Sequence, residues 1–157
     1  MTNKTTIAID PGYDRIGIAV FEGKALVHSE CFETDKKAEF TDRLLAVHKH
    51  VTAALKKCKP ESLALETLFF STNVKTAIKV SEARGVILLA AAQAGVAVHE
   101  YSPQAVKIAV TGSGTAPKEA VIRMVARLVQ RGTKKRLDDE YDAIALGLAH
   151  TATIRPS

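Results

Sequence analysis

The first predicted strand of the chain ends in an acid. Residues 5–10 form an apolar run that ends at Asp10, and Pro11-Gly12 then turns the chain into a second apolar run at 16–22. A turn with no other task would favour Asn-Gly or Asp-Gly between polar flanks. Burial raises the pKa of a carboxyl group unless a cation or donors stabilise its charge. Asp10 is therefore either a turn residue that accepts backbone N–H groups or one acid of a functional site.

The order of the predicted elements indicates the fold class. Three strands joined by tight turns come first, and helices then alternate with two further strands. Thr34-Asp35 is the predicted N-cap of the first helix, and Pro60 follows its end. This order predicts an α/β fold, a mixed five-stranded sheet flanked by helices. The predicted strands span 5–10, 16–22, 25–33, 62–67 and 96–101, and the predicted helices span 36–58, 74–94, 103–110, 117–130 and 138–153.

Composition limits the classes of function. The chain has 157 residues, of which 46% are hydrophobic, enough for one domain over residues 1–157 with its own core. Its net charge of +5 favours a polyanionic partner. Cys31 and Cys58 fit neither a metal motif nor a disulfide framework, so we expect reduced thiols and a cytoplasmic protein. The segment 85–98 is too short to span a bilayer, so no membrane partner is expected.

Further acids lie at positions that the predicted fold would bring close to Asp10. Glu66 ends the fourth predicted strand, and the last helix opens with Asp138 and Asp139, followed by Asp142. Either Asp138 or Asp139 shares a helix face with Asp142, and an apolar run follows. Acids in a first helical turn also stabilise the helix dipole, which explains Asp138 and Asp139 more easily than Asp142. Converging carboxylates repel each other without a cation, and oxygen ligands suit Mg²⁺ or Mn²⁺.

Five motifs in order along the chain resemble one family. They are IDPG at 9–12 with the later Gly17, Glu66 followed by Phe69, AxKxxxARG at 77–85, GxGxAxK at 112–118 and DxxDAxA at 139–145. The chain resembles the RuvC family of Holliday-junction resolvases, in the ribonuclease-H-like superfamily. The resemblance extends from Ile7 to about His150, nearly the whole chain.

The resemblance implies a fold, an activity and a set of partners. It implies a ribonuclease-H-like sheet and a homodimer that nicks opposed strands of a four-way DNA junction. The delivering partner that it implies is a branch-migration motor complex. It implies two Mg²⁺ ions per active site, for which Mn²⁺ can substitute. The catalytic and metal-binding acids carried over by position are Asp10, Glu66, Asp139 and Asp142. Asp139 is preferred to Asp138 because it keeps the family's three-residue step to Asp142.

The resemblance also implies DNA contacts. It places Phe69 where an aromatic ring stacks on opened bases, and Lys107 and Lys118 near the scissile phosphate. Without the resemblance, these are a loop aromatic and two surface lysines. Two basic sets, Arg123, Arg127 and Arg131 and then Lys134, Lys135 and Arg136, either follow the DNA backbone or form solvated faces.

Three other readings remain open at this point. A YqgF-like RNA-processing nuclease shares a strand-end acid after a similar first strand. An actin-like phosphotransferase has a similar first hairpin but needs a second domain, for which 157 residues leave no room. A non-catalytic junction-binding protein would not need the intact acid set.

Overall fold

The sheet is built around the first strand. The computed structural model describes residues 3–68, 73–129, 136 and 138–154. Strands β1 (Thr5–Asp10), β2 (Arg15–Glu22) and β3 (Ala25–Glu33) form an antiparallel meander. Strand β4 (Ser62–Glu66) pairs parallel to β1, and β5 (Ala97–Tyr101) pairs parallel to β4. The resulting order, β3-β2-β1-β4-β5, confirms the predicted mixed five-stranded sheet.

Helices cover both faces of this sheet. Side chains alternate along β1, so Ile7 and Ile9 face one layer and Ala8 faces the other. The first layer contains α1 and α2, and the second contains α3, α4 and α5. Two hydrophobic cores therefore lie back to back across the sheet. The helices are α1 (Phe40–Cys58), α2 (Val74–Ala94), α3 (Pro103–Thr111), α4 (Lys118–Val129) and α5 (Asp138–Thr153).

The predicted start of the first helix was wrong. Helix α1 begins at Phe40 after the N-cap residue Glu39, and not at residue 36 after Thr34-Asp35. Thr34 is buried, and its hydroxyl donates to the carbonyl of Tyr13 at 2.5 Å. Thr34 therefore secures the turn that follows Asp10 instead of capping a helix. The other described boundaries agree with the predictions to within one residue, and the predicted end of α4 at residue 130 lies outside the described residues.

Helix α5 is anchored to the sheet by two buried polar side chains. Glu140 is 5% exposed and accepts a 2.6 Å hydrogen bond from the hydroxyl of Ser29 on β3. Fully buried His150 lies 2.7 Å from the Ser62 hydroxyl through Nε2 and 2.7 Å from the Tyr101 hydroxyl through Nδ1. The first contact ties the start of the helix to one side of the sheet, and the second ties its end to β4 and β5.

The buried His150 predicts an acid-sensitive fold. Burial, with the nearby His99, lowers the pKa of His150 to about 4, from an ordinary value of 6.5. The unfolded chain therefore takes up this proton first as the pH falls. The stability that neutral His150 contributes is present above pH 6.5 and is lost between pH 6.5 and 4. The slope contributed is at most about 1.4 kcal/mol per pH unit.

Chemical unfolding at a series of pH values tests this expectation. The difference in unfolding free energy between the wild type and His150→Gln should shrink as the pH falls from 7 to 4. Other titrating groups are common to both proteins and cancel in that difference. A difference that stays constant over this range would contradict the assignment.

Candidate active site

Two predicted site acids leave the sheet side by side. Asp10 is the last residue of β1 and Glu66 is the last residue of β4. These strands are parallel neighbours in which Ile9 pairs with Leu65, so the two carboxylates follow at the same sheet edge. The sequence-based expectation that the strand ends share a site is consistent with this register.

Gly17 allows the acids at the start of α5 to approach the sheet. It lies directly opposite Asp10 in the β1–β2 register. A Cβ atom at this position would collide with the backbone carbonyl of Asp139, in the first turn of α5. Only a residue without a side chain lets α5 come this close to the sheet. Gly17 thus brings Asp139 to the strand that carries Asp10.

The first turn of α5 separates the adjacent Asp138 and Asp139. The side chain of Asp138 is 64% exposed, whereas that of Asp139 is 25% exposed. Asp142, one turn further on, is half-buried. The carboxylates that act electrostatically on Asp10 are those of Asp142, Glu66 and Asp139. The geometry therefore favours Asp139 over Asp138 as the fourth acid of the cluster.

Three acids of this cluster, Asp10, Glu66 and Asp142, hold their protons more tightly than ordinary carboxyl groups do. Burial, and then repulsion from Asp142, Glu66 and Asp139, raises the pKa of Asp10 to about 8. Burial and the charge of Asp142 raise the pKa of Glu66 to about 6. Burial likewise raises the pKa of Asp142, against the attraction of Lys118. The cluster carries more negative charge than its own surroundings neutralise.

Two lysines face the same acids. A cleft of about 220 Å³ is lined by Glu66, Asp142, Lys107 and Lys118, with apolar walls from α3, α4 and α5. The Nζ atom of Lys118 lies 3.7 Å from Asp142 Oδ2 and 3.4 Å from Asp138 Oδ2. Burial opposes the charge of Lys118, but Asp142 and Asp138 raise its pKa above the ordinary value. Lys107 is near enough to Glu66 for its charge to oppose the rise in the pKa of that acid.

The donor set fits a hard divalent cation. All four acids carry carboxylate oxygens, the donors that a hard divalent cation prefers, and the raised pKa values of Asp10, Glu66 and Asp142 mark a site that a cation would stabilise. Within the described residues, no three Asp, Glu, His or Cys side chains are already arranged as a metal cage. Asp139 and Asp142 are instead paired with Arg15 and Lys118. The residues therefore match a Mg²⁺ or Mn²⁺ site in chemistry, with two of the acids held by internal cations.

Some predicted contacts fall elsewhere. Phe69 lies outside the described residues, as do Arg131, Lys134 and Lys135. Arg136 is 3.4 Å from Glu140 and its side chain is only 6% exposed, so neither alternative for the second basic set, contact with the DNA backbone or a solvated face, fits this residue. A larger cleft of about 590 Å³, between β3 and α1, contains none of the predicted site residues.

Sequence reasoning missed one residue of the site. The Nε atom of Arg15, the first residue of β2, lies 2.9 Å from Asp139 Oδ2. The alternation of side chains along a strand could have indicated this residue. Arg15 and Gly17 are two residues apart and so face the same side of β2.

Comparison with known proteins gives the family. The family model described as "Crossover junction endodeoxyribonuclease RuvC" matches residues 6–150. A protein of that name from Brachyspira hyodysenteriae is 42% identical over 154 residues, covering 96% of this chain and 95% of the relative. One from Moorella thermoacetica is 42% identical over 151 residues, covering 93% of this chain and 90% of the relative.

Solved structures agree with the sequence comparisons. Thermus thermophilus RuvC in complex with Holliday junction substrate superposes with a TM-score of 0.88 at 34% identity, covering 94% of this chain and 92% of that one. The yeast mitochondrial Holliday junction resolvase Ydc2 matches with a TM-score of 0.71 at 10% identity, covering 96% of this chain and 78% of that one, and supports the fold alone.

The sheet order and the carboxylate cluster define a protein of the ribonuclease-H-like class, with a site of the nuclease type. Within that class, the chain belongs to the RuvC family of crossover junction endodeoxyribonucleases. In the described part of the chain, no helix combines the length and apolar character needed to cross a membrane.

Proposed function

We propose that the chain is a structure-selective endonuclease that resolves four-way DNA junctions by paired, symmetric phosphodiester hydrolysis during recombination and repair. The observation that carries this proposal is the meeting of Asp10, Glu66 and Asp142 beside two lysines at one sheet edge. The Thermus thermophilus relative, solved with a Holliday junction substrate, supports the choice of DNA structure.

The four acids are the proposed metal ligands. Asp10, Glu66, Asp139 and Asp142 would hold two Mg²⁺ ions, or Mn²⁺ in their place. Bound metal supplies an activated water and stabilises the leaving oxygen. The strands fix Asp10 and Glu66, while helix α5 contributes the other two acids from across the sheet edge. Asp10 and Glu66, as buried carboxylates of raised pKa, take up protons more readily than ordinary acids when no metal is bound.

Lys107 and Lys118 are the proposed phosphate contacts. Both line the cleft that contains Glu66 and Asp142, so a phosphate that reaches these acids meets the two ammonium groups. A fixed positive charge beside the reacting phosphate stabilises charge that develops in the transition state. Phe69 follows Glu66 by three residues and is the proposed stacking residue for an opened base.

A homodimer provides the second active site that paired nicking requires. Helix α2 is the proposed interface, because its side chains at Val74, Ile78 and Leu89 are 60%, 50% and 53% exposed. We further propose a single nuclease domain over residues 1–157, a cytoplasmic location and delivery of junctions by a branch-migration motor complex.

Disrupting the exposed apolar face of α2 should separate the two protomers of the proposed dimer. We expect Ile78→Glu to convert a dimer into a monomer, because a buried unpaired carboxylate is costly in an apolar interface. Light scattering after size-exclusion chromatography measures the mass. Leu45→Glu, at a 49% exposed leucine on α1, is the matched control and should leave the mass unchanged. A dimeric Ile78→Glu protein would place the interface elsewhere.

Substrate choice tests the proposed function. The experiment compares a synthetic four-way DNA junction, linear duplex DNA of the same sequence and a structured RNA, each with Mg²⁺ and with Mn²⁺. We expect nicking of the junction alone. Cleavage of the RNA would favour the YqgF-like alternative. Tight junction binding without cleavage in either metal would favour a non-catalytic binding protein.

A further inference from the structure

Arg15 reaches the acid cluster from β2, the antiparallel neighbour of β1. It faces α5 because it shares a face of β2 with Gly17, against which the backbone of Asp139 packs. The segment before it is held in place: the Thr34 backbone N–H donates to the Asp14 carbonyl at 2.9 Å, and Arg43 pairs with the Asp14 carboxylate. Arg15 is thus presented to Asp139 from a well-supported backbone.

The two oxygens of Asp139 have different surroundings. Oδ2 is buried and lies 2.9 Å from Arg15 Nε, but it receives no aligned hydrogen bond, so the contact is ionic. The Asp139 side chain as a whole is 25% exposed. Since Oδ2 contributes almost none of that area, the accessible part of the carboxylate is on the Oδ1 side. Arg15 therefore contacts one oxygen of Asp139 and leaves the other free of this contact.

We propose that Arg15 is a positioning residue for metal binding, which holds Asp139 by its buried oxygen so that the other oxygen is available as a ligand. This inference rests on the proposed function, because it concerns the same metal site. Partners that fix a ligating carboxylate determine its orientation, and their removal typically costs about 10- to 100-fold in metal affinity. The Asp139 side chain is partly exposed in the first turn of α5, so a partner that restricts its rotation fixes the direction of its second oxygen.

The alternative to a positioning role is that Arg15 is an internal counter-ion, which a metal ion must displace from Asp139. The two roles predict opposite changes in metal affinity when the guanidinium is removed, because a positioning residue helps the ligand and a counter-ion competes with the metal. Metal affinity, measured without DNA, therefore distinguishes them directly.

The test is a Mn²⁺ titration of the full chain, with free metal followed by electron paramagnetic resonance. We expect Arg15→Gln to bind Mn²⁺ about tenfold more weakly than the wild type, and Arg15→Lys to fall between them. Lys56→Gln, at an exposed residue on α1, makes the same change in net charge and should match the wild type. Junction nicking should need about tenfold more metal in Arg15→Gln but approach the wild-type rate at saturation.

Unchanged or tighter Mn²⁺ binding by Arg15→Gln would overturn this inference. The proposed function has its own failure, which is a wild-type protein that neither binds Mn²⁺ nor nicks the junction. A wild type that does both, beside an Arg15→Gln protein with unchanged metal binding, would remove only the role of Arg15.

Discussion

Asp10→Asn should abolish junction nicking. The variant keeps the shape of the side chain but replaces the carboxylate of a proposed metal ligand with an amide at the centre of the acid cluster. Metal ions contribute several kcal/mol of transition-state stabilisation, so we expect the nicking rate to fall by about 1,000-fold or more. Nicking of a labelled four-way junction in Mg²⁺ measures the loss.

The same variant should be more stable than the wild type without metal. The pKa of Asp10 in the fold is about 8, above its ordinary 3.8. A group with a raised folded pKa contributes stability that is fully present below its unfolded pKa and is lost as the pH rises through the folded value. The wild type therefore loses stability between pH 4 and 8, whereas Asp10→Asn does not lose this contribution. Chemical unfolding in chelator across this range should show a gap that widens with pH.

Asp138→Asn is the matched control for both measurements. It makes the same chemical change beside the cluster, at a side chain that is 64% exposed. We expect nicking to stay within a few-fold of the wild type and the pH dependence of stability to be retained. Loss of nicking in Asp138→Asn, with activity kept in Asp139→Asn, would assign the fourth acid to Asp138 instead.

Gly17→Ala should reduce junction nicking by displacing the backbone of Asp139. The added methyl group collides with the Asp139 carbonyl, and neither β2 nor the first turn of α5 can move aside at low cost. Overpacking of this kind costs about 1–3 kcal/mol of unfolding free energy. The larger effect is on nicking, because displacing a positioned group by about 1 Å costs on the order of 100-fold in rate. Asp139 and Asp10 then no longer meet in the required geometry.

Leu55→Ala separates this effect from simple destabilisation. Leu55 is 3% exposed in α1, in the core on the opposite face of the sheet. Its truncation costs about 2–5 kcal/mol, a range that overlaps that of Gly17→Ala and extends above it. At a temperature where both variants are folded, Leu55→Ala should nick junctions at nearly the wild-type rate. Equal loss of activity in the two variants would show that stability alone governs the result.

Much of the fold and the acid cluster followed from local patterns. The apolar runs that end in Asp10 and Glu66 located both strand ends, and the acids before the apolar run of α5 predicted that this helix meets them. These predictions held because they depend on element order and on residues close in sequence. The roles of the four acids stay predictions until they are tested.

Features that depend on distant contacts were not predictable. Thr34 has the sequence character of an N-cap, but its hydroxyl bonds to Tyr13, 21 residues earlier in the chain. Arg136 looks like part of a basic surface cluster, but its ion pair with Glu140 is buried. In the sequence, Arg15 is an ordinary basic residue at the start of a strand. Its contact with Asp139 becomes visible only in the fold, where α5 packs against β2 at Gly17. In each case the fold decides which of several local possibilities is used.

Paired resolution is tested most directly by mapping the nicks on single junctions. A four-way junction with a different label on each of the four strands is incubated with the wild-type protein and Mg²⁺, and the products are sized before turnover is complete. Paired resolution predicts two nicks in strands of the same polarity, at symmetric positions on opposite sides of the crossover, with ends that DNA ligase can seal. Nicks that are unpaired or asymmetric, or that appear equally on linear duplex, would contradict it.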